Sequence, residues 1–320
     1  MCKLSIIIPC YYNEENIPVT GTRLIANEAL FPANTEFEYI FVDDGSGDNT
    51  LEALYRFQKE HTQKVKVLKL AGNVGSYNAV VAGMEYATGD CTVIIAADLQ
   101  DPPELMVEML RYWKKGIKLV VGSREDREES WLQKRLSNTF HSMMRKFALK
   151  NVPKGGFDYV LFDREIRERV VQMQERNTNV FYLMAWMGYT YINIPYVRKQ
   201  REIGKSRWTL SKKIKLFIDS FVGFSYLPLR LISISGITLG LLAFTYGLYI
   251  IIARLLGIVD IEGWSTLMVV ILFIAAFQMT ALGIIGEYVW RSLDAARTRP
   301  LYIVEKVSKE SKLESSLKDY

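Results

Sequence analysis

Two carboxylate-bearing stretches, Val42-Asp43-Asp44-Gly45-Ser46 and Ala97-Asp98-Leu99-Gln100-Asp101-Pro102-Pro103, carry the residue types that hold a divalent cation and a phosphorylated ligand. Mg2+ and Mn2+ are hard cations that take one or two protein oxygens and complete their shell with phosphate and water. Asp98, with Gln100 or Asp101 beside it, supplies that minimum. The apolar run Ile94-Ile95-Ala96-Ala97 reads as a buried strand, and the proline pair makes the chain leave it and start a helix. An acidic residue where a strand opens into a loop lies at the carboxyl edge of a parallel sheet, the usual seat of phosphorylated ligands and metals. Asp43 and Asp44 end another such strand, so their carboxylates can reach the same crevice. Each stretch alone has a plainer reading, Asp98 as a helix cap and Asp-Asp-Gly-Ser as a turn. Their combination is the specific signal.

The elements that must position these residues follow from apolar periodicity. Strands are expected over residues 4–9, 36–42, 65–70 and 119–123, and helices over 15–29, 50–61 and 75–87, the last closed by Gly89 as a C-cap. Strand and helix alternating at this spacing predict a doubly wound parallel sheet, which residues 119–123 continue. Further strands are expected at 157–162 and 189–197. Leu132, Leu136, Phe140, Met143 and Phe147 recur at helical spacing among Lys134, Arg135, Arg145 and Lys146, giving a helix with one apolar and one basic face.

The 320 residues exceed one α/β domain, and two uncharged stretches account for the excess. Residues 231–253 and 264–286 are each long enough to cross a bilayer core. Before them, Leu210, Ile214, Phe217 and Phe221 repeat at helical intervals beside Lys212, Lys213 and Lys215, as in a basic amphipathic helix lying in the membrane interface. The apolar opening at 4–8 is too short for a signal peptide. Lys and Arg flank both spans while Asp260 and Glu262 occupy the connecting loop, so the N-terminal domain and both termini are expected in the cytoplasm of a multi-pass plasma-membrane protein. The net charge of +5 resides mostly in these flanks and reads as attraction to anionic lipid, not nucleic acid. Cys2, Cys10 and Cys91 lack metal-ligand spacing and read as reduced thiols. The charged tail beyond Ile303 is expected to be disordered.

Residues 3 to about 230 resemble a family 2 glycosyltransferase of the GT-A fold, and the whole chain resembles the polyprenyl-phosphate glycosyltransferases. The matching stretches are Ser5-Ile6-Ile7-Ile8-Pro9, residues 42–46, Asn73-Val74-Gly75, residues 97–103, Gly122-Ser123-Arg124, residues 158–164 and residues 201–207. The resemblance implies a GT-A (Rossmann-like) α/β nucleotide-sugar-binding domain over 1–205, an amphipathic juxtamembrane helix over 206–228, two transmembrane helices over 229–290 and a cytoplasmic tail over 291–320. It implies that Pro9, Tyr11, Glu14, Asp43, Asp44, Gly75 and Asp98 meet the nucleotide-sugar, and that Asp98 and Gln100 hold Mg2+ or Mn2+. Asp158, with Asp98, would be catalytic. Arg124, Lys134, Ser137, Arg201, Lys205, Ser206 and Arg207 would meet phosphate of the lipid or of the nucleotide, a role to which arginine's planar fork is suited. The same run over 201–207 also reads as a solvated juxtamembrane basic stretch.

The implied reaction is inverting transfer of one sugar, with glucose the first choice, from a UDP-sugar to undecaprenyl phosphate. Galactose, N-acetylglucosamine, mannose and aminoarabinose are the alternatives, and the protein is expected as a homo-oligomer with a tetramer as one arrangement. The chain departs from the family pattern at Ala96, where an acidic residue is usual, at Gln133 and Val160, where arginine is common, and in Pro9-Cys10-Tyr11-Tyr12-Asn13-Glu14, whose extra residue leaves either Asn13 or Glu14 in the place of the family's glutamate. Ala96 also prompts a rival reading as a nucleotide-binding membrane scaffold without turnover. A processive polysaccharide synthase ranks lower, because Gly204 stands where those enzymes carry the Gln of Gln-x-x-Arg-Trp.

Overall fold

A computed structural model of the chain describes residues 1–98, 100–124, 157–173, 178–198, 227–256 and 263–308, with shorter pieces at 142–146, 149, 175, 219 and 222–225. It falls into two units, one of residues 1–220 and 300–320, the other of residues 221–299. The first unit is built on one eight-stranded sheet. Its strands are β1 (Cys2–Cys10), β2 (Thr35–Asp43), β3 (Val65–Leu70), β4 (Cys91–Ile94), β5 (Leu119–Arg124), β6 (Tyr159–Asp163), β7 (Tyr191–Tyr196) and β8 (Val304–Val307). Its helices are α1 (Asn16–Asn27), α2 (Thr50–Glu60), α3 (Ser76–Glu85), α4 (Leu105–Lys114), α5 (Arg164–Gln172) and α6 (Val180–Trp186).

The strand order is β7-β5-β6-β4-β1-β2-β3-β8. The central strands β3, β2, β1 and β4 run parallel to one another, as the alternating pattern predicts. Both faces of β1 are covered: Leu4, Ile6 and Ile8 enter the core with Ile17, Leu24, Leu54, Phe57 and Met106, while Ile7 meets α3 from the other side. Gly83 permits that second contact, since a Cβ there would lie 2.5 Å from the Ile7 side chain. Such two-sided burial explains why β1 is a continuous apolar run.

The sheet differs from the expected all-parallel form at β6. This strand lies between β4 and β5 and runs antiparallel to both, with Ile94 opposite Val160 and Gly122 opposite Tyr159. A run such as 159–162 states burial and says nothing about direction; the long excursion before it leaves either direction open. The predicted cap Gly89 also has another purpose. α3 ends at Glu85 with Tyr86 as its C-cap, and a Cβ on Gly89 would lie 2.6 Å from the Ser5 hydroxyl oxygen and 2.8 Å from the Lys3 carbonyl, so glycine is required by close approach to β1.

The tail is the largest correction. Residues 304–307 are not disordered but form β8, antiparallel to the outer edge of β3. Glu305 and Lys306 are exposed while Val304 and Val307 are half-buried, and the pairing partner comes from an edge some 235 residues earlier (Lys69 with Glu305, |i−j| = 236). No local composition rule sees such a partner.

In the second unit, α7 (Leu227–Leu255) and α8 (Trp264–Ala296) contain two segments long and apolar enough to cross a membrane, Leu227–Ala253 and Thr266–Ala296. Within this unit the Tyr288 hydroxyl donates to the Ser225 carbonyl at 3.0 Å. The amphipathic helix expected over 206–228 lies mostly outside the described residues, and of the basic helix over 132–147 only 142–146 is described, as helix.

At the sheet edge where β1 begins, Glu38 is buried and accepts hydrogen bonds from Ser5 Oγ (2.6 Å), Thr88 N (2.8 Å), Thr88 Oγ1 (2.9 Å) and Lys66 Nζ (2.8 Å). Burial alone would raise its pKa, but Lys66, Ser5 and the Thr88 N–H outweigh it and hold the carboxyl at about 2. Because this value lies below the unfolded one of about 4.3, the stabilisation is complete above the unfolded pKa and lost as pH falls towards 2. Glu38→Gln is therefore expected to lower the thermal midpoint at pH 7 and to flatten its fall between about pH 4.5 and 2.5, as measured by thermal denaturation of the detergent-solubilised protein.

Candidate active site

Direction of pairing brings the candidate residues together. The carboxyl ends of β1, β2, β4, β5 and β7 share one sheet edge, and because β6 is reversed its first residues share it too. That edge therefore presents Pro9 and Tyr11 after β1, Asp43 and Asp44 after β2, Asp98 and Gln100 after β4, Arg124 at the end of β5 and Asp158 just before β6. With strands about 4.8 Å apart, the ends of β2 and β4 are about 10 Å apart and those of β2 and β6 about 14 Å.

At the β2 end, Asp43 and Asp44 are both buried, 1% and 3% exposed, so they form the floor of this edge. Asp43 Oδ1 accepts the Ser46 N–H at 3.3 Å, closing the turn. The Asp44 carboxylate accepts Val74 N at 2.7 Å on Oδ1, and Gly75 N and Asn73 Nδ2, both at 3.0 Å, on Oδ2. Gly75 caps α3 at φ +88°, a conformation glycine adopts without penalty. Burial pushes the Asp44 pKa up to about 6 against the opposing Val74 and Gly75 N–H groups. Each carboxylate oxygen accepts two bonds, which leaves one acceptor position on Oδ1 beyond these three contacts.

The inserted residue of the opening motif is absorbed at Tyr12, which takes φ 55° and stands exposed. Asn13 folds back, its Oδ1 accepting Tyr11 N at 2.8 Å while its own N–H donates to Thr50 Oγ1 at 2.7 Å. Glu14 accepts from Asn49 Nδ2 at 2.9 Å and Asn49 N at 3.3 Å. Asn13 thus holds the turn and Glu14 joins the loop before α2.

The loop after β4 is pinned from several sides. Thr20 Oγ1 donates to the Ala97 carbonyl at 2.6 Å, Tyr159 Oη to the Pro102 carbonyl at 2.9 Å and Asn27 Nδ2 to the Pro103 carbonyl at 2.9 Å. Asp98 and Gln100 stay half-exposed, with Gln100 N donating to Asp98 Oδ1 at 3.3 Å. Among the described residues no group of three or more His, Cys, Asp and Glu side chains could hold a metal ion alone. A half-exposed carboxylate with a neighbouring amide oxygen instead fits Mg2+ or Mn2+ shared with phosphate oxygens.

Asp101, one of the two candidates beside Asp98, turns away. It is 2% exposed, accepts the Tyr196 hydroxyl at 2.5 Å and lies 3.6 Å from Arg198 Nε and 4.0 Å from Arg124 Nε. Burial, followed by the nearby Asp158 charge, raises its pKa to about 6, while Arg124, Tyr196 and Arg198 oppose the rise. Arg124 is ion-paired with Asp158 through Nη2, so it faces carboxylates here. The Asp158 side chain is 50% exposed. Tyr196 and Arg198 escaped sequence reasoning, because a tyrosine inside a strand and a lone arginine after it carry no motif. Lys134, Ser137, Arg201, Lys205, Ser206 and Arg207 lie outside the described residues.

A model of the Glycosyl transferase family 2 matches residues 5–171. The uncharacterised glycosyltransferase YkcC of Bacillus subtilis is 36% identical over 95% of this chain and 94% of its own. The prophage bactoprenol glucosyl transferase homologue of Escherichia coli is 30% identical over 96% of this chain and 100% of its own. The undecaprenyl-phosphate 4-deoxy-4-formamido-L-arabinose transferase of Photorhabdus laumondii is 29% identical over 99% and 98%. Sheet order, edge chemistry and full-length kinship agree, and the chain belongs to the family 2 glycosyltransferases.

Proposed function

We propose that this glycosyltransferase moves a single sugar, glucose, from UDP-glucose to the phosphate of a polyprenyl lipid at the cytoplasmic face of the membrane, with inversion at the anomeric carbon. The observation that carries the reading is the delivery of Asp44, Asp98 and Asp158 to one sheet edge in a chain whose relatives of nearly equal length include enzymes named for bactoprenol and undecaprenyl phosphate. The two apolar helices supply a reason for a lipid acceptor. The strand that follows the second helix pairs with β3, so the chain on both sides of the apolar pair belongs to the catalytic unit, as an out-and-back crossing requires.

In this reading the β2 end seats the nucleotide. Asp44 and the 73–75 loop provide a floor already paid for by internal hydrogen bonds, and Tyr11 stands at its side. Asp98 and Gln100 would hold Mg2+ or Mn2+ against the diphosphate, where the cation neutralises charge on the departing UDP. Asp158 orients the acceptor and the sugar. Its ion pair with Arg124 holds the carboxylate in one orientation. A phosphate monoester is already largely dianionic at neutral pH, having a second pKa near 6, so its oxygen attacks the anomeric carbon without a strong base. The carbon–oxygen bond to UDP breaks on the opposite face.

Asp98→Asn is expected to lower kcat by about 10²–10³, measured as labelled sugar extracted into lipid from undecaprenyl phosphate and a panel of nucleotide sugars. UDP-glucose is expected to be the best donor. Binding without product for every donor would leave a scaffold and overturn the enzyme reading.

Asp158→Asn is expected to lose transfer with no recovery at raised pH. Recovery following a single ionisation would mean that proton removal, not orientation, is its task.

The sugar-capped diphosphate has no ionisation near neutrality, so the pH dependence of its binding reports protein groups. Protonation of Asp44 below about pH 6 removes an acceptor from the 73–75 loop, and donor affinity is expected to fall there. Calorimetry of UDP-glucose between pH 5 and 8 tests this, with Asp44→Asn expected to bind weakly and without the pH trend.

A further inference from the structure

The strand contributed by the tail touches the chain just before the segment that holds Asp44 and the far end of the helix that follows it. On the entry side, Ala71, the first residue after β3, donates its N–H to the Ile303 carbonyl at 2.9 Å, and Leu70 pairs with Val304. Beyond the loop, at the far end of the helix it opens, the Tyr302 hydroxyl donates to Glu85, the last residue of α3. Between these two anchors lie Asn73, Val74 and Gly75, whose three N–H groups grip the Asp44 carboxylate.

The rest of the strap is tied to β3 and α2. Ser308 exchanges two hydrogen bonds with Val67, its N–H to the Val67 carbonyl and the Val67 N–H to its Oγ, each at 2.9 Å. Gln58 Nε2 donates to the Ser308 carbonyl at 2.9 Å, Lys69 Nζ lies 2.7 Å from Glu305, and Lys306 Nζ lies over the Tyr55 ring at 5.5 Å from its centroid. Leu301 is the buried apolar residue of the segment, whereas Ile303, Glu305 and Lys306 are exposed. A strand that buries so little apolar surface adds little to the core. Its hydrogen bonds go instead to β3, to α2, to Ala71 at the entry of the 73–75 loop and to the far end of α3.

We propose that residues 301–308 act as a positioning strap, holding the 73–75 loop in the conformation that receives the nucleotide, so that occupancy of the β3 edge sets donor affinity. This rests on the reading of the Asp44 end of the site as the nucleotide seat. The strap follows α8 directly along the chain, so donor affinity becomes linked to the segment leading out of the apolar helices. An edge strand held by main-chain hydrogen bonds is replaceable by a free peptide of the same sequence, which makes the strap separable from the fold.

The test compares the full-length protein in detergent, a variant ending after Arg299, that variant with a synthetic peptide of residues 300–308, and Tyr302→Phe. Donor KM, acceptor KM and kcat are measured with UDP-glucose and undecaprenyl phosphate, and amide exchange is followed at residues 71–78. Loss of the strap is expected to raise donor KM about tenfold, the effect of losing one or two hydrogen bonds that order the loop. Exchange at 71–78 should quicken while β1 and β2 stay protected, with kcat and acceptor KM little changed. The peptide should reverse both effects, and Tyr302→Phe should show a smaller rise. Unchanged donor KM without the strap, or a rise accompanied by lost protection in β1 and β2, overturns the positioning role. If UDP-glucose fails to protect residues 71–78 in the intact chain, the nucleotide-seat reading itself falls; protection that survives removal of the strap removes only the strap's part.

Discussion

Because β6 pairs antiparallel with both β4 and β5, its first residue and not its last meets the edge where β1, β2 and β4 end. Had it run parallel, Asp158 would stand at the opposite edge, where β4 begins, and its pairing with Arg124 could not form. The reversal places a carboxylate from the start of one strand next to an arginine from the end of another. The role proposed for Asp158 depends on that geometry, since it brings the two residues together.

The charges gathered there are balanced in a way that explains how they survive burial. Asp101 and Asp158 face Arg124 and Arg198, with the Tyr196 hydroxyl as a further donor to Asp101. An unpaired buried carboxylate would cost several kcal/mol or protonate. Here the more buried member, Asp101, is surrounded, and the more exposed one, Asp158, remains accessible. The result is a preorganised polar patch whose orientation costs nothing further at the moment of reaction. Asp98, by contrast, stands half-exposed on the loop after β4, as suits a carboxylate expected to share a cation with phosphate.

The two ends of the sheet divide the work. At the edge where β1 begins, Glu38, Ser5, Thr88, Lys66 and the close approach of Gly89 bind β1, β2 and the turn after α3 into a rigid block. At the other edge the loops are long and carry the chemistry, and α3 connects the two, with Gly75 at its start and the Glu38 network just past its end. The strap at β3 braces this connection from outside. Rigid strands with functional loops are the usual arrangement where precise placement matters.

Much of this was legible in residue order. The apolar runs located β1 to β5, the proline pair placed the start of α4, and the two uncharged stretches announced the apolar helices, because burial and bilayer length impose their own composition. The Asp43-Asp44 and Asp98 stretches were legible as strand-end carboxylates for the same reason. Three features were settled only in three dimensions. The direction of β6 depends on which neighbours it finds. The turning of Asp101 towards Tyr196 and Arg198 depends on β7 lying beside β5. The docking of residues 304–307 depends on a free strand edge far back along the chain. A local sequence states how each segment prefers to be buried; pairing partners, and the charges that meet through them, are decided by long-range contacts that no segment contains by itself.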